Sequence, residues 1–138
     1  MRTTRAPLAI LVLLLAGLLG GCFLLSNRPP EALFDVVYDT VPTDPMVVVL
    51  DASPSTDPNG DAIVAYSWVF GDDVTILTPP DFTTQVATAA VAVPTLVVRY
   101  PVEGTYSLTL VVRDEQGASS SPFSRTITLP NVSVDPMP

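Results

Sequence analysis

From Ala32 onward the apolar residues fall into short runs separated by turn residues. None of these runs has a convincing helical period. Two segments alternate cleanly. In Thr105 to Arg113, Tyr106, Leu108, Leu110 and Val112 face one way, and Thr105, Ser107 and Thr109 face the other. In Phe123 to Leu129, Phe123, Ile127 and Leu129 oppose Ser124, Thr126 and Thr128, while Arg125 interrupts the apolar side and implies a strand end that is not fully buried. A period of two is the mark of a half-buried strand. Ile63 to Phe70 places Val64, Tyr66, Trp68 and Phe70 on one parity, and Gly71-Asp72-Asp73 is expected to end it. Ala32 to Tyr38 and the unbroken run Met46 to Leu50 read as two more strands, the second short enough to be wholly buried. Between Val74 and Val98 the pattern blurs. Pro94 cannot donate to a sheet ladder, so one or two edge strands are expected there. The uncharged run from Val86 to Val98 is either covered by the sheet or part of a contact surface.

Short strands at this spacing, punctuated by Gly and Pro, predict an all-β sandwich of about seven strands. Trp68, Phe70 and Tyr106 are its expected core.

The N-terminus has a different pattern. Arg2 and Arg5 precede an apolar stretch of twelve residues, Leu8 to Leu19, and the small residues Gly20 and Gly21 precede Cys22. A spanning helix needs about 20 residues. A charged start, a short apolar stretch and small residues before a cut site instead mark a secretory signal peptide, in this chain the helix that precedes the sandwich. The run Leu19-Gly20-Gly21-Cys22 resembles the lipobox of bacterial lipoproteins. That resemblance implies cleavage before Cys22, diacylglycerol on its thiol and an acylated amino group. Two or more acyl chains hold a protein stably at a bilayer, where one chain does so marginally. Phe23 follows the cysteine in place of the Asp that often retains lipoproteins at an inner membrane, so an outer membrane is favoured where a cell has two.

The expected organisation is a signal peptide over 1–21, a lipid-anchored tether over 22–30, a sandwich domain over 31–130 and a C-terminal tail over 131–138. Pro29-Pro30 stiffens the end of the tether. The eight residues Phe23 to Pro30 reach at most about 29 Å, which keeps the domain close to the lipid.

Charge and composition narrow the function classes. After cleavage four arginines face fourteen carboxylates, a net charge of −10, and there is no lysine. Such a surface repels phosphate backbones, so nucleic acid is excluded as a partner. Cys22 is the only cysteine, so no disulfide staples the fold. Histidine is absent, which removes the commonest general base and every Ser-His or Cys-His nucleophile arrangement. No catalytic set is expected, and the chain reads as a non-enzyme.

Two acidic groups have residue types that could carry chemistry. Asp57, Asn59 and Asp61 place oxygen ligands close enough for Ca²⁺. Yet Asp57-Pro58-Asn59-Gly60-Asp61 is also an ordinary turn. The turn is the reading adopted, with no cofactor assigned and these three residues kept as calcium candidates. Asp72 and Asp73 are adjacent at a strand end and read as a solvated turn rather than as the paired carboxylates of glycoside hydrolysis.

The segments Asp51-Ala-Ser-Pro-Ser-Thr-Asp-Pro-Asn-Gly-Asp61, Ile63-Val-Ala-Tyr-Ser-Trp-Val-Phe-Gly-Asp72 and Gly104-Thr-Tyr-Ser-Leu-Thr-Leu-Val-Val-Arg-Asp114 resemble the PKD domain family. The resemblance covers residues 32–129 and implies an immunoglobulin-like β-sandwich of the kind found in many surface proteins, some of which bind calcium. The family's Trp-Asp-Phe-Gly-Asp-Gly is altered here, with Val69 in place of the first Asp and Asp73 in place of the last Gly. Together these features imply a lipid-anchored binding or scaffold module in the cell envelope, contacting a protein or polysaccharide near the membrane. A calcium-stabilised spacer and a small glycan-acting enzyme are the alternatives.

Overall fold

The computed structural model describes residues 26–38, 44–78 and 85–130. The expected signal peptide helix, the first part of the tether with Cys22, and the C-terminal tail lie outside these residues. Seven strands form: β1 (Asp35–Tyr38), β2 (Val47–Asp51), β3 (Ile63–Thr78), β4 (Gln85–Val91), β5 (Thr95–Arg99), β6 (Gly104–Asp114) and β7 (Phe123–Leu129). Every pairing is antiparallel. The strand order is β1-β2-β5-β3-β6-β7, with β4 also on β3.

The 16-residue strand β3 turns this single sheet into two layers. Its first half lies between β4 and β6, with Trp68 opposite Ala89 and Leu110. Its second half leaves β6 and joins β5, where Ile76 faces Val98. One layer is therefore β4-β3-β6-β7, and the other is β1-β2-β5 with the end of β3. The expected stop at Gly71-Asp72-Asp73 does not occur. The chain instead takes a bulge between Val69 and Val74 and continues as a strand. Gly71 makes this passage, with φ of 80°. An added Cβ there would lie 2.9 Å from the backbone oxygen of Ser107, so a side chain is excluded by backbone strain and contact together.

The run expected to hold edge strands divides at Pro94, which sits in the bend between β4 and β5. Of the two strands, β4 is an edge among the described residues, pairing there with β3 alone. β5 is not: β2 and β3 pair with it on either side, and Leu96 and Val98 are fully buried.

The core fills the space between the layers with Phe34, Val48, Leu50, Trp68, Phe70, Val74, Ile76 and the inward residues of β5, β6 and β7. Trp68 meets Phe34 edge-on at 5.0 Å, and Phe34 meets Phe123 edge-on at 5.5 Å. This aromatic chain ties β3 to the N-terminal segment and to β7. At the middle of β3, the buried Tyr100 hydroxyl donates to the Phe70 carbonyl (3.0 Å), and burial pushes that hydroxyl well above the ordinary phenol range. The Tyr106 hydroxyl donates to the Val102 carbonyl (2.6 Å), and the rings of Tyr100 and Tyr106 lie 4.2 Å apart. Arg125, which interrupts the apolar parity of β7, is exposed. It donates to the Phe34 carbonyl (2.9 Å) and pairs with Asp35 (3.2 Å), clasping the start of the domain to β7.

Candidate functional site

Two regions of the sandwich carry recognisable chemistry. The first is a carboxylate cluster at the end where β3 begins and β6 ends. Ile63 pairs with Asp114 across these strands, which brings Asp114 beside the turn that precedes β3. One carboxylate oxygen each from Asp57, Asp61 and Asp114 lies within 4.8 Å of the others. Asn59 is not part of this group: its Oδ1 accepts the Arg28 backbone N–H (2.8 Å) instead. Asp114 was not among the calcium candidates, because 53 residues separate it from Asp61 in sequence and the sheet register alone unites them.

The turn that builds the cluster is locally determined. Asp57 Oδ1 accepts the backbone N–H of Asn59 (2.7 Å) and of Asp61 (3.3 Å), a side-chain-closed turn that Gly60 completes at φ 82°. The N-terminal segment lies across it. Glu31 and Thr56 exchange backbone hydrogen bonds, and the Leu33 N–H donates to the Ser55 hydroxyl. Asn27 Nδ2 donates to Asp114 Oδ2 (2.8 Å), and Gln116 Nε2 donates to Asp61 Oδ2 (2.9 Å).

Asp114 is only 1% exposed. Burial pushes its carboxyl up. Hydrogen bonds from the Asn27 amide and from the backbone N–H groups of Ala118, Gly117 and Gln116 more than offset this, so it is held below the ordinary carboxylate range. Asp114 therefore carries its charge at neutral pH inside the fold. Two further oxygens, Asp57 Oδ2 and Asn27 Oδ1, are buried and have no hydrogen-bond partner. Among the described residues the ion pairs are Arg99–Asp44 and Arg125–Asp35, and neither touches the cluster. Three partly buried, unneutralised carboxylates, with the Asn27 amide bonded to one of them, are the kind of oxygen donor set that a hard cation such as Ca²⁺ takes.

The second region is the outer face of the β4-β3-β6-β7 layer. Three rungs across β6 and β7 are hydroxyl against hydroxyl: Thr105 with Thr128, Ser107 with Thr126, and Thr109 with Ser124. The first and third are hydrogen-bonded, at 3.2 and 2.8 Å. The third row extends through Val69 on β3 to Thr88 on β4, and Val111, Ser67 and Ala90 lie in the row beside it. Val69 is 46% exposed. These positions are uncharged, and exposed Arg113, opposite Ala65 in the row beyond Val111, places a positive charge at one end of the face. Asp72 and Asp73 are both exposed in the bulge of β3, where Asp73 N–H donates to Asp72 Oδ1 (2.7 Å), so they stand in a solvated strand bulge rather than in the expected turn. A shallow groove of about 360 Å³ lies between Pro29–Ala32 and Ser121–Phe123, where the tether joins the domain.

Comparison with known proteins now bears on this geometry. The family description "PKD domain" matches residues 27–129, about three quarters of the chain. The chain belongs to the PKD domain family. The match opens at Asn27, the residue that holds Asp114, so the N-terminal segment is an integral part of the PKD domain. A solved structure from a study of the promiscuous specificity of carbohydrate-binding modules of the β-sandwich superfamily is 33% identical, with a TM-score of 0.53. The alignment covers 75% of this chain and 35% of that one, so the present chain spans about a third of its length. The PKD1 domain of Vibrio anguillarum Epp is similar at 23% identity and a TM-score of 0.47, over 75% of this chain and 95% of that one. The PKD1 domain of the Vibrio cholerae metalloprotease PrtV is similar at 26% identity and a TM-score of 0.45, over 73% and 96%. Among curated proteins no relative matches.

Proposed function

We propose that this protein is a lipid-anchored contact module: a PKD sandwich held outside the cytoplasm by acyl chains on Cys22, engaging a protein or polysaccharide close to the membrane. The observation that carries this reading is the set of hydroxyl and small apolar positions on the outer face of the β4-β3-β6-β7 layer. A chain with fourteen carboxylates places none of them among these positions, and two of the hydroxyl rungs are hydrogen-bonded across the strands. A face of this kind presents no ion pairs to desolvate and little side-chain freedom to lose on contact. The free edge of β4, Gln85 to Val91, adjoins it and is also uncharged, so a partner strand has a place to add. The resemblance to a carbohydrate-binding-module structure at 33% identity supports contact with glycans. The lipobox-like run ending at Cys22 and the short tether support the membrane-proximal position, with an outer membrane favoured where two exist.

A photo-crosslinking residue placed at Thr126 in membrane-bound protein tests this reading. Adducts are expected at Thr126 and not at Val37, which is exposed on β1 of the other layer. Repeated absence of adducts at Thr126, or equal labelling at both positions, contradicts it.

A calcium-stabilised domain is a second reading, favoured by the unpartnered buried oxygens of Asp57 and Asn27. Asp57, Asp61, Asp114 and Asn27 would hold the ion, which supplies the positive charge the cluster lacks and thereby locks the N-terminal segment to the strand ends. Extracellular calcium modules bind with Kd down to about 10⁻⁴ M. At about 10 mM calcium, a hundredfold excess, native-state binding of that strength stabilises by about 2.7 kcal/mol. For a domain of about 100 residues this raises the thermal midpoint by on the order of 10–20 °C over protein in chelator. Asp57→Asn is expected to abolish the rise, and an unchanged wild-type midpoint rules the reading out.

A further inference from the structure

The edges of the two layers are not alike. A strand at a sheet edge exposes unpaired N–H and C=O groups, and folds commonly blunt it with charge, Pro, a bulge or shortness. β1 has four residues and begins at Asp35, which pairs with Arg125. β7 carries Arg125 and is bounded directly by Pro122 and Pro130. The end of β3 that borders β5 is followed directly by Pro79-Pro80. β4 has none of these devices. Its seven residues, Gln85-Val-Ala-Thr-Ala-Ala-Val91, hold no charge, no Pro and no Gly, and among the described residues β3 alone pairs with it. The extra residues of the bulge beside it belong to β3, so β4 itself runs unbroken. Ala87, Ala89 and Ala90 have side chains too short to cover its outer backbone.

The order of residues in β4 also says which strand fits. Consider two copies meeting edge to edge, antiparallel about a two-fold axis normal to the sheet. One residue must then stand opposite itself, since directly opposite residues share a face. Only Thr88 in that place pairs all seven residues: Ala87 with Ala89, Val86 with Ala90 and Gln85 with Val91. No pair is of like charge, and threonine opposite threonine is a favourable cross-strand pair. The carboxylates in the bulge beside β4, Asp72 and Asp73, stand one strand in from the edge. Across a joined sheet the two sets are three strand spacings apart, about 14 Å. That exceeds the Debye length of about 8 Å at physiological ionic strength, so their repulsion is largely screened. A two-fold axis along the bilayer normal also carries both tethers to the same height, so one membrane anchors both copies.

We infer that β4 joins β4 of a second copy of this chain, merging two four-stranded layers into one continuous sheet. The second copy is then the strand that adds in the contact-module reading. The inference rests on that reading for the membrane anchor, which confines the copies to one surface and raises their effective concentration. Backbone hydrogen bonds along the seam supply the affinity.

A photo-crosslinking residue at Ala90 in the membrane-bound full chain tests this. Ala90 is exposed and lies opposite Val86 of the second copy when Thr88 faces Thr88. The expected product has twice the chain mass, with its cross-link in the peptide that contains Val86. The same residue at Val37 on β1 is expected to give none. Thr88→Asp and Thr88→Lys each set like charges directly opposite one another, and each should lower the yield about fivefold or more. Thr88 is exposed, so the thermal midpoint of dilute protein should not move. Co-expressing the two variants sets Asp opposite Lys and should restore the product, now with one chain of each kind. No two-chain product, or a yield unchanged in both charge variants, overturns the inference. A product of Ala90 with a different protein alone overturns it and leaves strand addition by β4 to the contact-module reading. Two-chain product from Ala90 without adducts from Thr126 sustains the inference and removes the reading of the hydroxyl face.

Discussion

Replacing Trp68 by alanine is expected to destabilise the domain by about 3–5 kcal/mol, the range for deleting a large buried aromatic side chain. Domains of this size have about 5–15 kcal/mol in total, so the variant keeps a fraction of its stability at best. Trp68 is 1% exposed and occupies the half of β3 that pairs with both β4 and β6. Its ring is the inner member of the chain Trp68–Phe34–Phe123, so its loss opens a cavity and also frees the N-terminal segment that positions Asn27 at the carboxylate cluster. Trp68→Phe should cost much less. The indole Nε1–H is buried with no acceptor, and an unpaired buried donor itself costs about 1–3 kcal/mol, which phenylalanine removes. Urea unfolding of the three proteins measures this. A loss below about 1 kcal/mol for Trp68→Ala would show that this ring does not organise the core.

Where one face of a strand meets the core and the other meets water, the sequence states the strand almost residue by residue. β6 and β7 are of this kind, and their parity also displays the Ser/Thr face: Thr105, Ser107 and Thr109 against Ser124, Thr126 and Thr128. Periodicity fails where a strand changes layer. In β3 the residues Gly71-Asp72-Asp73 have the composition of a turn, but the positive φ of Gly71 and its close approach to Ser107 carry the strand onward. β5 is paired on both edges, but pairing leaves no mark on sequence: Leu96, Val97 and Val98 follow one another with no polar position between, so the pattern does not tell β5 from the preceding edge strand β4. The cluster was half legible. Asp57 and Asp61 belong to a local turn whose hydrogen bonds follow from the residue types. Asp114 joins only through the register of β3 on β6, a long-range fact that no local motif states, although an Asp closing a core strand just before the Gln116-Gly117 turn is the signal that points to it.

Anchoring has the largest expected effect of all, because it is close to all-or-none. The second prediction is that Cys22→Ser moves the protein out of the membrane fraction while leaving the sandwich folded. The reason is energetic. Each buried methylene contributes about 0.8 kcal/mol, and two or more acyl chains are needed for stable attachment. The acidic domain opposes binding to anionic headgroups, so it does not itself favour the membrane surface. The thiol of Cys22 is the only one available for thioether attachment. The fold is indifferent to the change, since the PKD match begins five residues later, at Asn27. The measurement that tests the account most directly is the mass of the N-terminal peptide of wild-type protein extracted from membranes, taken beside fractionation of Cys22→Ser. The account predicts a chain that begins at Cys22, carries diacylglycerol and a further acyl group, and loses membrane association when the thiol is removed. A membrane-bound chain that retains residues 1–21, or a Cys22→Ser variant that still fractionates with membranes, would contradict it.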